Sequence, residues 1–122
     1  MTIRPIRLQF RRVKGFDLQA LSRAANGRPA KLCTRPGKWG NPFKVERDTN
    51  WWRVVDVRTG NQVGPTYKHQ STALDIAIDD FRREAEARAA EIRAELSGHN
   101  LACTCALSQP CHVDVYLKIA NG

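Results

Sequence analysis

The chain has 122 residues and a formal net charge of +8, and this length suits one domain built on a single hydrophobic core. It contains no run of about 18 apolar residues, which argues against a membrane-spanning helix. The opening MTIRPIRLQF lacks the apolar stretch of a signal peptide. We therefore expect a cytoplasmic protein that does not enter membranes and whose four cysteines stay reduced rather than forming disulfides.

The charge is distributed unevenly along the chain. Residues 1–44 carry eleven Lys or Arg and one acid, whereas residues 45–122 carry nine Lys or Arg and eleven acids. A basic half of this kind indicates a nucleic acid, a nucleotide or another phosphate-bearing partner. The plainer alternative is a solvated basic surface that has no partner.

The first third of the chain predicts two short strands and a helix. Apolar and polar residues alternate over 6–11, which predicts a half-buried strand with a cationic outer face. A short helix is expected over 17–25 and is closed by Asn26-Gly27. A short apolar piece at 30–33 predicts a second strand.

The middle of the chain contains the strongest strand signal, WWRVVDV at 51–57. Residues 58–64 are expected to form a turn before a brief extended piece. Residues 65–70 are expected to connect that piece to the following helix.

A long helix is predicted over 71–97 because apolar residues recur there every three or four positions. The stripe consists of Leu74, Ile78, Phe81, Ala85, Ala89, Ile92 and Leu96. Thr72 with Asp75 resembles a capping box, and Gly98 suits a helix stop. The alanine-rich residues 85–90 leave open a kink or a turn between two helices. We interpret this element as scaffold.

The most informative stretch is LACTCALSQPCHVD at 101–114, because it gathers three cysteines and a histidine. We predict a strand, a turn and a helix over 101–122, and the helix begins near Pro110 or Cys111. Unpaired backbone N–H groups at such a helix start favour anions. The site therefore combines reactive side chains with an anion-binding helix end.

Three uses of this Cys/His cluster remain open on sequence alone. Cys103, Cys105, Cys111 and His112 would suffice for tetrahedral zinc, although adjacent Cys111 and His112 would have to turn toward one ion. Alternatively, Cys111 is a thiolate stabilised by the helix start, His112 is an acid or base, and Asp114 orients His112. In the third case the cysteines are packing residues, for which Cys103 and Cys33 are best suited.

The loop TRPGKWGNPF at 34–43 is the second candidate site. Its glycines and prolines, including Pro36, suit close approach of a ligand. We expect Arg35 and Lys38 to hold phosphate, Gly40 to admit the ligand, Trp39 to stack on a base and Asn41 to hydrogen-bond the sugar or base. The alternative is a tight structural turn in which Trp39 and Phe43 enter the core.

Three segments carry a resemblance to a known family. RLQFRRVKGF at 7–16 resembles the motif R-x-Q-x-R-R-x-K-G-W, and residues 35–43 resemble R-P-x-K-W-G-N-P-F. Residues 96–121 resemble L-x-G-x-x-L-A-C-W-C-x-L-x-Q-P-C-H-x-D-V-L, with Thr104 and Ala106 in place of Trp and Pro. Together they resemble an uncharacterised family of phage and actinobacterial proteins that carry a domain of unknown function. The resemblance implies a phage genome setting, a host-cytoplasm location if the chain is phage-encoded, and sites in these boxes.

We therefore predict a small single α/β domain over residues 1–122. A short mixed sheet from segments near 6–11, 30–33, 51–57 and 100–104 packs against the long helix and a short C-terminal helix. The loop 34–43 and the turn 103–114 meet in a cleft that acts on a nucleotide, nucleoside or DNA, through glycosidic-bond or base-modifying chemistry if the protein is an enzyme. The alternative is a non-catalytic, zinc-stabilised DNA-binding protein whose phosphate contacts are Arg7, Arg11, Arg12 and Lys14.

Overall fold

The computed structural model describes residues 4–35 and 37–122. Pro36, one of the two prolines expected to shape the loop, lies outside the described residues. Across the described chain, strands and helices follow the order β1(Arg7–Gln9), α1(Leu18–Asn26), β2(Ala30–Leu32), β3(Phe43–Asp48), β4(Trp51–Asp56), β5(Asn61–Tyr67), α2(Gln70–Ala87), α3(Ala89–Leu96), β6(Asn100–Cys103) and α4(His112–Asn121). The prediction of one small mixed α/β domain is confirmed.

The strands form two separate sheets, so the prediction of one short mixed sheet is wrong in this detail. One sheet is parallel, in the order β1-β6-β2, and the other is antiparallel, in the order β3-β4-β5. The segment at 51–57 therefore does not pair with the other predicted strands. It forms the centre of a meander whose first turn leaves only Thr49 and Asn50 between paired Asp48 and Trp51.

The composition of the two edge strands of the meander accounts for their weak strand signals. β3 has the sequence FKVERD, whose charged outward positions suit an edge exposed to water. β5 contains Gly64 and Pro65, and Pro is tolerated in a sheet on an edge strand. The predicted connector at 65–70 is therefore wrong for residues up to Tyr67, which extend β5.

The predicted long helix divides into α2 and α3 at Arg88. The backbone of Arg88 leaves the helical region (φ −110°, ψ 20°). This residue lies within the alanine-rich residues 85–90, where the sequence allows a kink or a turn between two helices. Contrary to the expected capping box, α2 begins at Gln70 after His69, and no side chain caps it. The break turns α3 so that Ile92 and Leu96 are buried beside α4.

The core lies between α2, α4 and the central strands. Buried residues of α2 recur every four positions: Ala73, Ala77, Phe81 and Ala85. The predicted stripe residues Leu74 and Ile78 lie at its margin, half-buried, because the small alanines allow the helix to approach the sheet closely. None of the helices in the described part of the chain has the length and apolar character needed to cross a membrane.

Candidate functional site

The three parallel strands end at one edge, and this edge carries most of the residues that the sequence singled out. A cleft of about 310 Å³ opens there between the loop 34–43 and the turn that follows β6. Its polar lining includes Arg12, Arg35, Asn41 and Lys44, and its thiol side includes Cys103, Cys105, Cys111 and His112. The structure thus brings together the two segments that the sequence placed at one edge.

His112, the first residue of α4, is held rigidly by the loop. Its Nε2 lies 2.8 Å from the carbonyl oxygen of Cys33 and 3.0 Å from that of Trp39. Carbonyl oxygens only accept hydrogen bonds, so Nε2 must carry the proton and donate it to them. Nδ1 then has a free lone pair, and it lies 3.6 Å from the sulfur of Cys111.

The environment of His112 favours the neutral imidazole. The side chain is only 4% exposed, and this burial lowers its pKa below the ordinary value because a charged ring would lose its hydration. The rings of Phe81 and Tyr116 contact it edge to face, with centroids 5.3 and 5.7 Å away. These contacts fix the ring plane so that Nδ1 continues to point toward the thiols.

Three thiols cluster beside this nitrogen. The sulfurs of Cys103 and Cys105 are 3.7 Å apart, and the ligand atoms of Cys103, Cys111 and His112 all lie within 4.8 Å of one another. Hydrogen bonds with the other two thiols lower the pKa of Cys103, and hydrogen bonds with Cys103 and Cys105 raise the pKa of Cys111. Within this cluster, the thiol whose pKa is lowered is Cys103 and not Cys111.

The fourth cysteine, Cys33, lies apart from this group. Its thiol is fully buried and faces the carbonyl oxygen of Lys31. Burial raises the pKa of Cys33 to about 12. These properties match the packing role that the sequence suggested for it.

Asp114 does not orient His112. Its carboxylate lies 3.0 Å from the guanidinium of Arg7, and its side chain is 55% exposed. Two residues along a helix correspond to a rotation of about 200°, so Asp114 points away from the ring that it was expected to orient. The two backbone carbonyls perform that task instead.

Arg7 also differs from its predicted role as an outward phosphate contact. Its side chain is 10% exposed and donates hydrogen bonds to the carbonyl oxygens of Leu107 and Gln109. It therefore holds the turn between β6 and α4. Arg11, Arg12 and Lys14 are exposed as expected, and Arg12 lies over the ring of Phe10.

Trp39 is a core residue and not a stacking platform. It is 7% exposed, and its ring packs edge-on against Tyr116 at 5.5 Å. Cations lie over the ring as well, with Lys38 Nζ at 4.9 Å and the guanidinium of Arg88 at 5.3 Å. The structural alternative for Trp39 and Phe43 is therefore the one found, since both are buried.

The remaining loop residues mainly shape the loop itself. A Cβ on Gly40 would come within 2.7 Å of the backbone nitrogen of Arg35, so the glycine allows the chain to close on itself. The ammonium group of Lys38 lies 2.7 Å from the carboxylate of Glu95 and 3.4 Å from that of Glu91. The cation that the sequence predicts to hold phosphate is therefore already paired with two carboxylates.

Arg35 and Asn41 combine a structural contact with a place in the cleft. Arg35 donates to the carbonyl oxygen of Asn41 at 2.9 Å, and the side-chain oxygen of Asn41 accepts from the N–H of Phe43 at 2.8 Å. Both residues line the cleft beside the thiols.

A larger cleft of about 630 Å³ also borders the loop and shares Arg35, Asn41 and Lys44 with the smaller one. It also contains cations, but several have carboxylate partners: Arg58 pairs with Asp56 and Glu84, each at 2.8 Å, and Arg88 pairs with Glu91 at 2.8 Å. The smaller cleft is the stronger candidate site, because it combines cations with the Cys/His cluster.

One structurally central residue gave no signal in the sequence. Asn100, which begins β6, is fully buried; its side chain accepts from the N–H of Ile6 and exchanges hydrogen bonds with Asn26, and it donates to the hydroxyl of Ser22. A polar residue that opens an apolar strand would have been the only clue to this network.

Comparison with known proteins gives a family but no activity. No curated protein and no solved structure matches the chain. A family model described as a domain of unknown function, DUF4326, matches residues 19–122. This match spans the loop 34–43, both sheets apart from β1, and the whole Cys/His cluster, so the chain belongs to the DUF4326 family.

Proposed function

We propose that the cleft between the loop 34–43 and the turn 103–114 binds the phosphate of a nucleotide and is the place where the protein acts on that ligand. The observation that carries this proposal is the charge of the lining. Arg12, Arg35 and Lys44 line the cleft, and none of its described lining residues is Asp or Glu. Lys44 lies 3.9 Å from Glu46, which is outside the lining, and a concave site whose described lining carries three cations and no carboxylate favours an anion.

The position and size of the cleft support the same ligand class. In open sheets with parallel strands, ligands bind beyond the carboxyl ends of the strands, which is where this cleft lies. Its volume of about 310 Å³ is at the lower end of small-molecule sites and suits a single nucleotide better than a duplex. The phage setting implied by the sequence boxes adds to the case for a substrate from nucleotide or DNA metabolism.

The second candidate is DNA binding without catalysis, and one specific observation favours it. Arg11, Arg12 and Lys14 are all exposed and fall within a span of four residues that follows β1. Such a group can contact successive phosphates of a nucleic-acid backbone. In DNA binding, all three of these cations would contact phosphates. Binding of a nucleotide in the cleft would use only Arg12, because Arg12 alone among them lines the cleft.

The pair Arg11→Ala and Arg12→Ala separates the two candidates. Both arginines are exposed, but only Arg12 is among the residues lining the cleft. A charge-assisted hydrogen bond contributes about 1.5–3 kcal/mol, so Arg12→Ala should weaken binding of a nucleoside monophosphate roughly 10- to 100-fold. Arg11→Ala should leave it unchanged, as measured by isothermal titration calorimetry.

A second pair, Lys44→Ala and Lys68→Ala, repeats the comparison on the other side of the cleft. Lys44 lines it and Lys68 is an exposed cation elsewhere. The second candidate would be favoured if Arg11→Ala and Arg12→Ala lowered the affinity for DNA equally and left mononucleotide binding unchanged. In that case the affinity of the wild-type protein for DNA should also fall steeply with salt. No binding of mononucleotides or short single strands by the wild-type protein would contradict the proposal.

A further inference from the structure

We infer that the Cys/His cluster is a zinc site with one nitrogen and three sulfur ligands: His112 Nδ1 and the thiolates of Cys103, Cys105 and Cys111. This inference is independent of the nucleotide proposal, because it concerns the wall of the cleft and not its ligand. It rests on four observations: the ligand spacing, the histidine tautomer, the backbone at the helix start and the burial of the group.

Two separations between ligand atoms match a tetrahedron around zinc, and the ligand atoms of Cys103, Cys111 and His112 all lie within 4.8 Å of one another. With Zn–S near 2.3 Å and Zn–N near 2.05 Å, tetrahedral geometry places two sulfurs about 3.8 Å apart and a sulfur and a nitrogen about 3.6 Å apart. The sulfurs of Cys103 and Cys105 are 3.7 Å apart, and Cys111 Sγ is 3.6 Å from His112 Nδ1. A disulfide would require about 2.05 Å.

The protonation state of His112 is already the one that a metal ligand needs. Its Nε2–H is held by the carbonyl oxygens of Cys33 and Trp39, which leaves the lone pair on Nδ1 directed toward the sulfurs. Metal-binding histidines almost always donate their other ring N–H to a carbonyl or carboxylate in this way. This tautomer requires no rearrangement when the metal binds.

The backbone removes the objection that Cys111 and His112 are adjacent. Cys111 is the N-cap of α4 with extended angles (φ −145°, ψ 147°), and His112 is the first helical residue. The change from extended to helical backbone between them allows neighbouring side chains to converge on one point. The site therefore joins the end of β6, the turn at Cys105 and the start of α4.

Burial and the number of ligands point to a structural rather than an open catalytic ion. Cys103, Cys111 and His112 are 7%, 2% and 4% exposed, while Cys105 is half-buried on the turn. Four protein ligands fill a tetrahedral zinc site, and the S/N ligand set favours zinc over hard cations. Binding releases the thiol protons to solvent and needs no oxidant or reductant.

The test is metal content and spectroscopy of the full-length protein. After expression with added zinc and gel filtration, elemental mass spectrometry should find about one zinc per chain. The apo protein with Co²⁺ should show the visible bands of tetrahedral cobalt and a thiolate-to-cobalt charge-transfer band. Cys105→Ser, which alters the most exposed ligand, should lose at least about tenfold in metal affinity. Cys33→Ala, the matched control, should keep full metal.

A measurement on the wild-type protein keeps the inference testable if Cys105→Ser fails to fold. Long-range ¹H–¹⁵N NMR should show that His112 keeps its Nε2–H in the zinc form while the Nδ1 resonance shifts on metal binding. Removal of zinc with a chelator should lower the melting temperature. Zinc below about a tenth of an equivalent with no cobalt spectrum would overturn the inference. An isolated Cys103–Cys105 disulfide under reducing conditions would overturn it too.

Discussion

The buried guanidinium of Arg7 yields a sharp prediction about stability. Arg7 lies on β1 and reaches across to the turn that carries Cys105, where it donates to the carbonyl oxygens of Leu107 and Gln109 and pairs with Asp114. In Arg7→Met the unbranched stem remains and the donors are lost. The substitution therefore separates hydrogen bonding from packing of the aliphatic chain.

The magnitude follows from the contacts. The hydrogen bonds to the carbonyl oxygens of Leu107 and Gln109 contribute about 1 kcal/mol each where the acceptor can be rehydrated, and the ion pair to half-exposed Asp114 contributes about 0.5 kcal/mol. A third hydrogen bond, to the carbonyl oxygen of Ala106, is long at 3.4 Å and adds little. Arg7→Met should therefore lower the free energy of unfolding by about 2.5 kcal/mol. For a domain of this size, that corresponds to a fall of about 10 °C in melting temperature.

The assay is urea unfolding followed by circular dichroism, with zinc held constant. Arg11→Met is the matched control, because Arg11 is exposed, and it should change stability by less than about 0.5 kcal/mol. Arg7→Lys keeps the charge but lacks the forked donors, so it should recover less than half of the loss. A stability of Arg7→Met equal to that of the wild type would refute the assignment of Arg7 as the residue that holds this turn.

Two further predictions concern groups away from the cleft. Asn100→Ala should lower the free energy of unfolding by about 3 kcal/mol, because it removes the hydrogen bonds of the buried Asn100 side chain with Ile6 N–H, Ser22 and Asn26. A loss under about 1 kcal/mol in urea unfolding would contradict this. The hydrogen bond from Arg58 lowers the pKa of Asp56 below its ordinary value of 3.8. The stability that this carboxylate supplies is thus present at neutral pH and lost as the pH falls below about 4. The difference in melting temperature between the wild type and Asp56→Asn should therefore shrink below that pH. A difference that stays constant to about pH 3 would contradict this.

The predictions that succeeded depend on local chemistry. The helix over 17–25 begins after Asp17, whose side chain accepts from the N–H of Ala20, and ends at Gly27 in the left-handed region. The helix α4 begins at His112, directly after the predicted start near Pro110 or Cys111, and no side chain caps it. Caps and turns are short-range events, so the sequence specifies them without knowledge of the fold.

The predictions that failed concern long-range partners. Trp39 and Lys38 were predicted to bind the ligand. In the structure, Trp39 contacts Tyr116 of α4 and Lys38 pairs with Glu95 of α3. Asp114 and Arg7 are separated by more than a hundred positions in the chain and meet only because β1 lies next to β6. The chemistry of a side chain determines which groups it can bind or pack against. The packing of the helices and strands determines which of those groups is within reach.

The sequence by itself determined the α/β class, the cysteines and histidine that belong to one turn and helix start, and the strands whose apolar residues are dense enough to stand out. Only the tertiary structure decided that the strands form two sheets and that His112 lies with Cys103 and Cys111 in one cluster of ligand atoms. The physical reason is that strand pairing and ligand convergence depend on distances between segments far apart in the chain. Those distances are set by the shared core of α2, β6 and α4.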